Sequence, residues 1–465
     1  MQQILINGAW VDAREGAPLE IVNPATLERL GTVPNCGAHD AALAVGAARA
    51  ALPGWHALAA SQRASLLREI AVRVRTPLRE LAKLLSEESG KPQCESSDCV
   101  EAVATLFEGG AALAESGAAQ APAGVVAAIT PFNFPLLFMA SAIASALAAG
   151  RTIVCKPAHQ NPLACLRLAD SFQGLPAGVF NLITGGPDTG AALATHPDIT
   201  HVKFTGSVEV GTAIAAAATT SNRCVELELG CVGALVVCRD ADLDVTVPAL
   251  AWARLFNGGQ VCTSGKHIYV ERSIAADFVE RMHQCIGFLD VDDPLKRPTD
   301  LGPLISLAAA HRVEDQVGRA LREGAKLTLG GRRFRPSGLP GHFFQPTILA
   351  DVPEGGVPVR EEILGPVVTV TPFADLPEAI IRCARGPRCP IALYTRDPHG
   401  AMRLLKEAAA REFRINGPSA GAMGPFGGMY HGDVRRLLGA ALAADMATSV
   451  ERQAWWFPYQ ARATT

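Results

Sequence analysis

The sequence predicts an α/β fold with two largely parallel sheets. Short apolar runs of strand length alternate with helical runs between residues 125 and 204, and a second alternation of this kind begins near residue 235. The length of 465 residues exceeds that of most single domains. Hydrophobic residues make up 49% of the chain and charged residues 19%, which suits large buried cores and excludes a disordered chain.

The elements follow in chain order. Residues 61–90 carry apolar side chains at helix spacing, with Pro77 dividing the helix and Gly90 ending it. The first sheet has predicted strands at residues 125–129, 152–155, 179–183 and 201–204, separated by helices at 136–149, 162–172 and 188–195. The second has strands at 235–237, 267–270 and 326–329 and a helix at 275–285. Because βαβ units form parallel sheets, we expect ligands at the carboxyl ends of the strands.

Charge and hydropathy exclude several classes of protein. The formal net charge is −3 without a basic tail, so we expect neither a nucleic-acid partner nor an anionic membrane surface. Residues 121–150 contain no charged side chain, but Pro131, Asn133 and Pro135 interrupt them. A break exposed to lipid would leave backbone groups unpaired. We therefore predict a buried strand, a turn and a buried helix there, and no membrane span.

The twelve cysteines are scattered and mostly lie among apolar residues. They form no Cys-x-x-Cys pair and no histidine cluster accompanies them, so we expect no structural metal site. The first ten residues lack a basic stretch followed by an apolar core, which argues against a secretory signal. We predict a cytoplasmic protein whose thiols are reduced.

Two short segments supply a candidate nucleophile and a candidate base. Gly258 and Gly259 permit a tight turn before Cys262, whose thiolate could attack a carbonyl carbon. A buried apolar cysteine is the alternative for this residue taken alone. Glu228 lies between two leucines, and a carboxylate among apolar residues suits a general base. The alternatives are an ion-paired glutamate and the neighbouring Glu226.

Two further segments supply hydrogen-bond donors. In the turn of residues 130–135, the side chain of Asn133 could stabilise an oxyanion or simply cap the following helix. Gly206 and Ser207 end a predicted strand just before a helix, where backbone N–H groups can bind a phosphate. Each signal is weak by itself.

Together, the four segments resemble the aldehyde dehydrogenase superfamily, and the resemblance extends from residues 23–26 to residues 425–428. Cys262 follows Glu228 by 34 positions (262 − 228), close to the family's separation of nucleophile and base. The resemblance implies that Cys262 attacks an aldehyde while Asn133 and the backbone N–H of Cys262 hold the oxyanion. Hydride transfer to a nicotinamide dinucleotide then leaves a thioester, and Glu228 activates the water that releases the acid.

The resemblance also implies a site for NAD or NADP. Lys156 would contact the adenosine ribose, Gly206 and Ser207 would lie at the pyrophosphate, and Glu362 would hold the nicotinamide ribose. Many NAD-preferring relatives carry a glutamate at the position of His159, where it repels a 2′-phosphate. A histidine removes that repulsion, so both cofactors stay open.

Four phenylalanines match the family's substrate entry tunnel: Phe132, Phe138, Phe256 and Phe426. An aromatic, uncharged lining favours an apolar aldehyde, aromatic or aliphatic. The alternative is that these side chains belong to the core. The small-molecule aldehyde is the only substrate class that the resemblance implies.

The sequence departs from the family pattern in several places. Cys231 and Val232 replace a Gly-Lys pair, and Leu364 replaces a phenylalanine that packs against the cofactor. Residues 385–390 and 429–432 are also unusual. These changes affect loop conformation and subunit contacts more than the chemistry.

The expected architecture has three parts. A Rossmann-like dinucleotide-binding domain comprises residues 1–103 and 123–228, and an α/β catalytic domain comprises residues 229–433. Residues 104–122 and 434–465 would form a small β oligomerisation element, whose exposed strand edges imply a homodimer or homotetramer. Two alternatives are a CoA-acylating dehydrogenase of the same fold and a non-catalytic binding or structural descendant. Glu228 argues against the first, since it would activate water.

Overall fold

The computed structural model describes residues 2–14, 16–117, 122–218, 223–230, 232–262, 264–385, 391–408 and 413–416. These residues form two compact units. The first unit lies within Met1–Leu229 and includes Pro294–Lys296, and the second lies within Gly230–Asp293 and residues 297–416. The predicted residues 434–465, Phe426 and Cys231 lie outside the described residues.

The first unit contains nine described strands and eight described helices. The strands are β1 (Ile4–Ile6), β2 (Ala9–Val11), β3 (Leu19–Val22), β4 (Arg29–Val33), β5 (Val125–Ile129), β6 (Thr152–Lys156), β7 (Phe180–Leu182), β8 (His201–Gly206) and β9 (Cys224–Leu229). The helices are α1 (Ala38–Ala57), α2 (Ala60–Arg75), α3 (Leu78–Ser89), α4 (Gln93–Glu115), α5 (Pro135–Ala148), α6 (Leu163–Leu168), α7 (Pro187–Thr195) and α8 (Val208–Ala218).

The main sheet of the first unit is mixed, with a parallel centre. Its strand order is β2-β1-β7-β6-β5-β8-β9, with β1 antiparallel to its neighbours and β5 to β9 parallel. The chain adds β6 and β7 on one side of β5 and then β8 and β9 on the other. This reversal is a topological switch point, where open parallel sheets bind ligands outside the carboxyl ends of their strands.

The charge-free stretch forms the centre of this unit, as predicted. All five residues of β5 are buried, and so are most of the residues of α5. Helices on both faces of the sheet explain why a central strand is apolar along its whole length. Within the described part of the chain, no helix has the length and hydropathy needed to cross a membrane.

The helical region before the sheet follows the predicted division. The helices α2 and α3 are separated near Pro77, and α3 ends at Gly90, which has a left-handed backbone with φ of 78°. The next helix, α4, includes residues 104–115, which the sequence analysis had placed in a β oligomerisation element. Its buried side chains recur at helix spacing, as at Phe107 and Ala111, so this segment packs as a helix. The small two-stranded antiparallel sheet is instead formed by β3 and β4.

The second unit has its own seven-stranded sheet, ordered β12-β13-β14-β11-β10-β15-β16. All pairs are parallel except β12 with β13. The strands are β10 (Gly233–Val237), β11 (Gly265–Glu271), β12 (Lys326–Leu329), β13 (Thr347–Ala350), β14 (Val367–Phe373), β15 (Ile391–Tyr394) and β16 (Phe413–Ile415). The helices are α9 (Leu243–Leu255), α10 (Ala275–Ile286), α11 (Leu307–Arg322), α12 (Val357–Arg360), α13 (Leu376–Arg385) and α14 (Pro398–Glu407).

A sharp turn joins α9 to β11. Asn257, Gly258 and Gly259 have φ angles of 53°, 63° and 72°, three left-handed residues in succession. A Cβ atom on Gly259 would lie 2.0 Å from the carbonyl oxygen of Gly365, so the two backbones meet without room for a side chain. Glycine is therefore required at residue 259 both by its backbone conformation and by this close approach.

A buried carboxylate fixes α3 to α6 in the first unit. Glu88 is 0% exposed, and its carboxylate oxygens accept hydrogen bonds from the backbone N–H groups of Leu163 at 2.7 Å and Ala164 at 2.8 Å. Those donors begin a helix and would otherwise have no helical partner. Burial raises the pKa of Glu88 to about 8, and the two hydrogen bonds only partly oppose this effect.

We expect the stability of the protein to depend on pH through Glu88. Because its folded-state pKa of about 8 lies above the ordinary value of 4.5, its favourable contribution is complete below pH 4.5 and is lost as the pH rises through 8. The thermal unfolding midpoint of the wild type, relative to that of Glu88→Gln, should therefore fall between pH 5 and pH 8. A difference that grows with pH would contradict this assignment.

We also expect Gly259→Ala to destabilise the second unit by about 2 kcal/mol or more, since alanine adds both a strained backbone and an overlap with a carbonyl oxygen. The matched control is Gly46→Ala in α1, where a Cβ atom meets nothing within 4 Å. That control should leave stability unchanged or raise it by about 0.5–1 kcal/mol. Denaturant unfolding measures both variants, and equal stability of Gly259→Ala and the wild type would refute the steric argument.

Candidate active site

The first unit gathers five predicted site residues at one edge of its sheet. The adjacent parallel strands β6, β5, β8 and β9 all end at this edge, because parallel neighbours share the same carboxyl side. The residues that lie at or just beyond these strand ends are Lys156, Asn133, Gly206, Ser207 and Glu228. His159 follows Lys156 by three positions in the next loop.

Asn133 is 5% exposed in the turn between β5 and α5. Its Oδ1 atom accepts a hydrogen bond of 3.1 Å from the backbone N–H of Phe134, the residue that precedes the first helical residue. The turn is held by Asn161, whose Nδ2 atom donates to the carbonyl oxygen of Phe132 at 2.7 Å. A buried, oriented amide suits the role of an oxyanion donor.

Lys156 places a buried cation at the end of β6. The residue is 5% exposed, and its ammonium donates to the carbonyl oxygen of Pro157 at 3.1 Å. Among the ion pairs formed by the described residues, none includes Lys156. Burial lowers its pKa to about 8, since no carboxylate offsets the loss of water. Burial and the Lys156 ammonium also lower the pKa of His159, so its imidazole is neutral at pH 7.

Ser207 lies between β8 and α8, immediately before the first residue of the helix. Its Oγ atom accepts from the backbone N–H of Val210 at 3.4 Å, and its carbonyl oxygen accepts from Gly211 at 3.0 Å. A Cβ atom on Gly206 would lie 2.5 Å from the ring of Phe204, so a side chain would collide there. A helix N-terminus after β8 and a buried ammonium at the end of β6, on either side of β5, are the donors that a phosphate and a ribose hydroxyl require. These residues therefore fit a dinucleotide.

Two glutamates lie two residues apart on β9. Glu228 is half-buried and pairs in register with Thr205, while Glu226 pairs in register with Lys203. The carboxylate of Glu226 forms an ion pair of 3.0 Å with the ammonium of Lys203. The structure thus gives the competing glutamate a structural partner that the sequence did not reveal.

The second unit places its predicted residues at the amino ends of its strands. Cys262 precedes β11, and Glu362 precedes β14, the strand that neighbours β11. This differs from the expected carboxyl edge. Cys262 is half-buried after the left-handed turn. The turn is braced by Gln260, whose Oε1 atom accepts from Ile305 at 3.0 Å and whose Nε2 atom donates to the carbonyl oxygen of Asn257 at 3.1 Å.

Glu362 is held by groups from three parts of the second unit. The ammonium of Lys266 lies 3.2 Å from its Oε1 atom, and Gln316 donates to its carbonyl oxygen at 3.1 Å. A Cβ atom on Gly230 would lie 2.0 Å from Oε2, so the backbone of residue 230 approaches the carboxylate closely. Leu364 is half-buried two residues further on.

Two buried cations of this unit, Arg254 and Lys266, were not predicted from the sequence. Arg254 is 0% exposed and donates to the carbonyl oxygens of Gly259 at 3.2 Å and Ile363 at 2.8 Å. It thereby joins the loop before Cys262 to the loop that carries Glu362. The available signal was a basic residue within an apolar helix or strand, where burial requires a partner.

The predicted tunnel phenylalanines have different surroundings. Phe132 and Phe138 are half-buried on either side of Asn133 in sequence. Phe256 is 5% exposed and packs against Trp252 with ring centroids 5.2 Å apart, which suits the core alternative. Phe426 lies outside the described residues.

Comparisons with known proteins show the family of the chain. The sequence pattern of the Aldehyde dehydrogenase family matches residues 10–448. The chain is 35% identical over 452 residues to succinate-semialdehyde dehydrogenase [NADP(+)] GabD of Escherichia coli K12, covering 92% of each chain. It is 35% identical over 449 residues to glutarate-semialdehyde dehydrogenase of Pseudomonas aeruginosa, again covering 92% of each. The crystal structure of PnpE in complex with nicotinamide adenine dinucleotide superposes with a TM-score of 0.86 at 33% identity, covering 90% of each chain.

The α/β fold, the similarity along most of the chain and the cofactors named for these relatives lead to one conclusion. The chain belongs to the aldehyde dehydrogenase family and is an NAD(P)-dependent enzyme that oxidises an aldehyde to a carboxylic acid.

Proposed function

We propose that the chain oxidises an apolar aldehyde through a thioester on Cys262, with Asn133 as an oxyanion donor and Glu228 as the base that activates water. The observation that carries this proposal is the contrast between Cys262 and the core thiols. Cys262 is half-buried after a left-handed turn, whereas Cys155 and Cys165 are fully buried and burial raises the pKa of their thiols. A nucleophilic thiolate needs the former surroundings.

The thiolate of Cys262 adds to the carbonyl carbon, and the developing oxyanion is stabilised by hydrogen bonds from Asn133 Nδ2 and the backbone N–H of Cys262. When bound, the nicotinamide dinucleotide accepts the hydride that the resulting thiohemiacetal must lose. The acyl group then remains on sulfur until water attacks it.

Glu228 is the better of the two candidate bases. Glu226 already balances the charge of Lys203, and removing that partner would leave an ammonium uncompensated. Glu228 lies at the carboxyl end of β9, at the same sheet edge as Asn133 and Lys156. A carboxylate at this edge can take the proton of the attacking water and so release the acid. Water as the acyl acceptor distinguishes this reaction from acyl transfer to CoA.

The proposed cofactor-binding roles follow the family resemblance. Lys156 would donate to ribose hydroxyls, Gly206 and Ser207 would bind the pyrophosphate through backbone N–H groups, and Glu362 would accept from the nicotinamide ribose. Partial burial and the ammonium of Lys156 lower the pKa of His159, which favours a neutral imidazole that neither repels nor strongly attracts a 2′-phosphate. We therefore propose that the enzyme accepts both NAD and NADP.

The half-buried rings of Phe132 and Phe138, on either side of Asn133, support an apolar aromatic or aliphatic aldehyde. A carboxylate-bearing semialdehyde is the second candidate, because two relatives at 35% identity are named for such substrates. An absorbance assay for reduced cofactor, with an aliphatic, an aromatic and a semialdehyde series, separates the two candidates. A higher kcat/KM for the semialdehydes would overturn the apolar assignment.

We expect Cys262→Ala to lower kcat/KM by at least about a thousandfold, since no other group would carry the acyl intermediate. Cys94→Ala, which removes an exposed thiol of α4, is the control and should retain activity. Steady-state formation of reduced cofactor measures both variants. Normal turnover by Cys262→Ala would remove the proposed nucleophile.

We expect Glu228→Gln to slow steady-state turnover by about a hundredfold while leaving an initial burst of reduced cofactor, because the base acts after hydride transfer. Glu226→Gln is the matched control on the same strand and should turn over at close to the wild-type rate. Rapid-mixing absorbance measures the burst. Loss of the burst, or a stimulation of the wild type by CoA, would contradict hydrolysis assisted by Glu228.

We expect His159→Glu to lower kcat/KM for NADP at least about tenfold relative to NAD, because a carboxylate there repels the 2′-phosphate. His283→Glu introduces the same charge on an exposed face of α10 and should leave the ratio unchanged. Initial rates with the two cofactors give the ratio. An unchanged ratio in His159→Glu would show that residue 159 does not face the phosphate.

A further inference from the structure

The second unit contains a cluster of buried charges next to the candidate nucleophile. Lys266 is 2% exposed on β11, four residues after Cys262, and Arg254 on α9 is 0% exposed. The ammonium of Lys266 lies 3.2 Å from Oε1 of Glu362 and donates to Oγ of Ser264 at 3.3 Å. Arg254, Lys266 and Glu362 interact electrostatically with one another here.

The charges of this cluster do not cancel while Cys262 is a neutral thiol. With Lys266 protonated, Arg254 and Lys266 supply two positive charges, and Glu362 supplies one negative charge. A buried excess charge is costly because the protein interior solvates it poorly. A thiolate on Cys262 would supply the missing negative charge and make the cluster neutral.

The effects of the neighbouring charges on the pKa of Lys266 are consistent with this charge balance. Burial lowers the pKa of Lys266, Glu362 and Cys262 act to raise it, and Arg254 acts to lower it further. The interaction is mutual, so a thiolate that stabilises the ammonium is itself stabilised to the same extent. The ammonium of Lys266 and the thiolate of Cys262 therefore stabilise each other.

We propose that Lys266 is a positioning residue whose buried ammonium favours the thiolate form of Cys262. The carboxylate of Glu362 partly balances the charge of that ammonium and so limits its effect on the sulfur. This inference rests on the proposed function of Cys262 as the nucleophile. Arg254 acts differently, because its guanidinium is engaged with the carbonyl oxygens of Gly259 and Ile363. Arg254 therefore holds the two loops together. Lys266 instead contacts the loop of Cys262 through its hydrogen bond to Ser264.

The test is the pH dependence of alkylation of Cys262 by iodoacetamide, in the full-length enzyme without cofactor. Peptide mass spectrometry follows each thiol separately, because the chain has twelve cysteines. We expect Lys266→Met to raise the pH midpoint for Cys262 and to slow its alkylation at pH 7 about tenfold. We expect Glu362→Gln to lower the midpoint, since it removes the competing negative charge. Lys266→Arg keeps the charge and should restore the wild-type midpoint.

Opposite shifts in the two variants support the proposal, because a general loosening of the site would move both in the same direction. An unchanged midpoint in Lys266→Met, or a rise in Glu362→Gln, overturns it. If Lys266→Met does not fold, the Glu362→Gln measurement decides, and a midpoint that stays or rises overturns the proposal. Alkylation of Cys94, exposed in the other unit, is the internal control. Turnover by Cys262→Ala tests the nucleophile independently, so failure of either assignment is distinguishable.

Discussion

Parallel pairing of β5 with β6 on one side and with β8 on the other is the constraint on which the first unit depends. Parallel neighbours cannot be joined by a tight hairpin, so each connection crosses a face of the sheet as a helix. The same pairing makes every one of these strands end at one edge. An amide, an ammonium, a helix N-terminus and a carboxylate from distant parts of the sequence consequently line that edge.

Much of this arrangement follows from local pattern. The strand predicted at residues 125–129 has those bounds in the structure, since a short apolar run bounded by turn residues is consistent with a buried strand. The strand predicted at 326–329 also has those bounds, although its side chains are mostly exposed. The left-handed turn before Cys262 was also foreseeable from its glycines. The segment 104–115, expected to be part of a small β element, is helical in the structure, with buried side chains at helix spacing.

The sequence alone could not predict which side chains pair when their residues lie far apart along the chain. Glu226 forms an ion pair with Lys203 in the adjacent strand, and only the register of β8 and β9 brings these two residues together. Arg254 and Lys266 lie within apolar segments of the sequence, but only the fold shows which carbonyl oxygens and which carboxylate they contact. The location of the second unit's candidate residues at the amino ends of their strands likewise depends on strand order. The roles of individual site residues in both units stay predictions.

The contact between Gly259 and the carbonyl oxygen of Gly365 has a consequence for how this enzyme can diversify. Because the two backbones are in contact, neither loop can accept a larger side chain here unless the other loop moves as well. The spacing between the loop of Cys262 and the loop of Glu362 is therefore fixed. Variation in substrate range must then arise elsewhere, at half-buried side chains such as Phe132 and Phe138. Laboratory evolution toward new aldehydes should accordingly accumulate changes there and leave the glycine pair untouched.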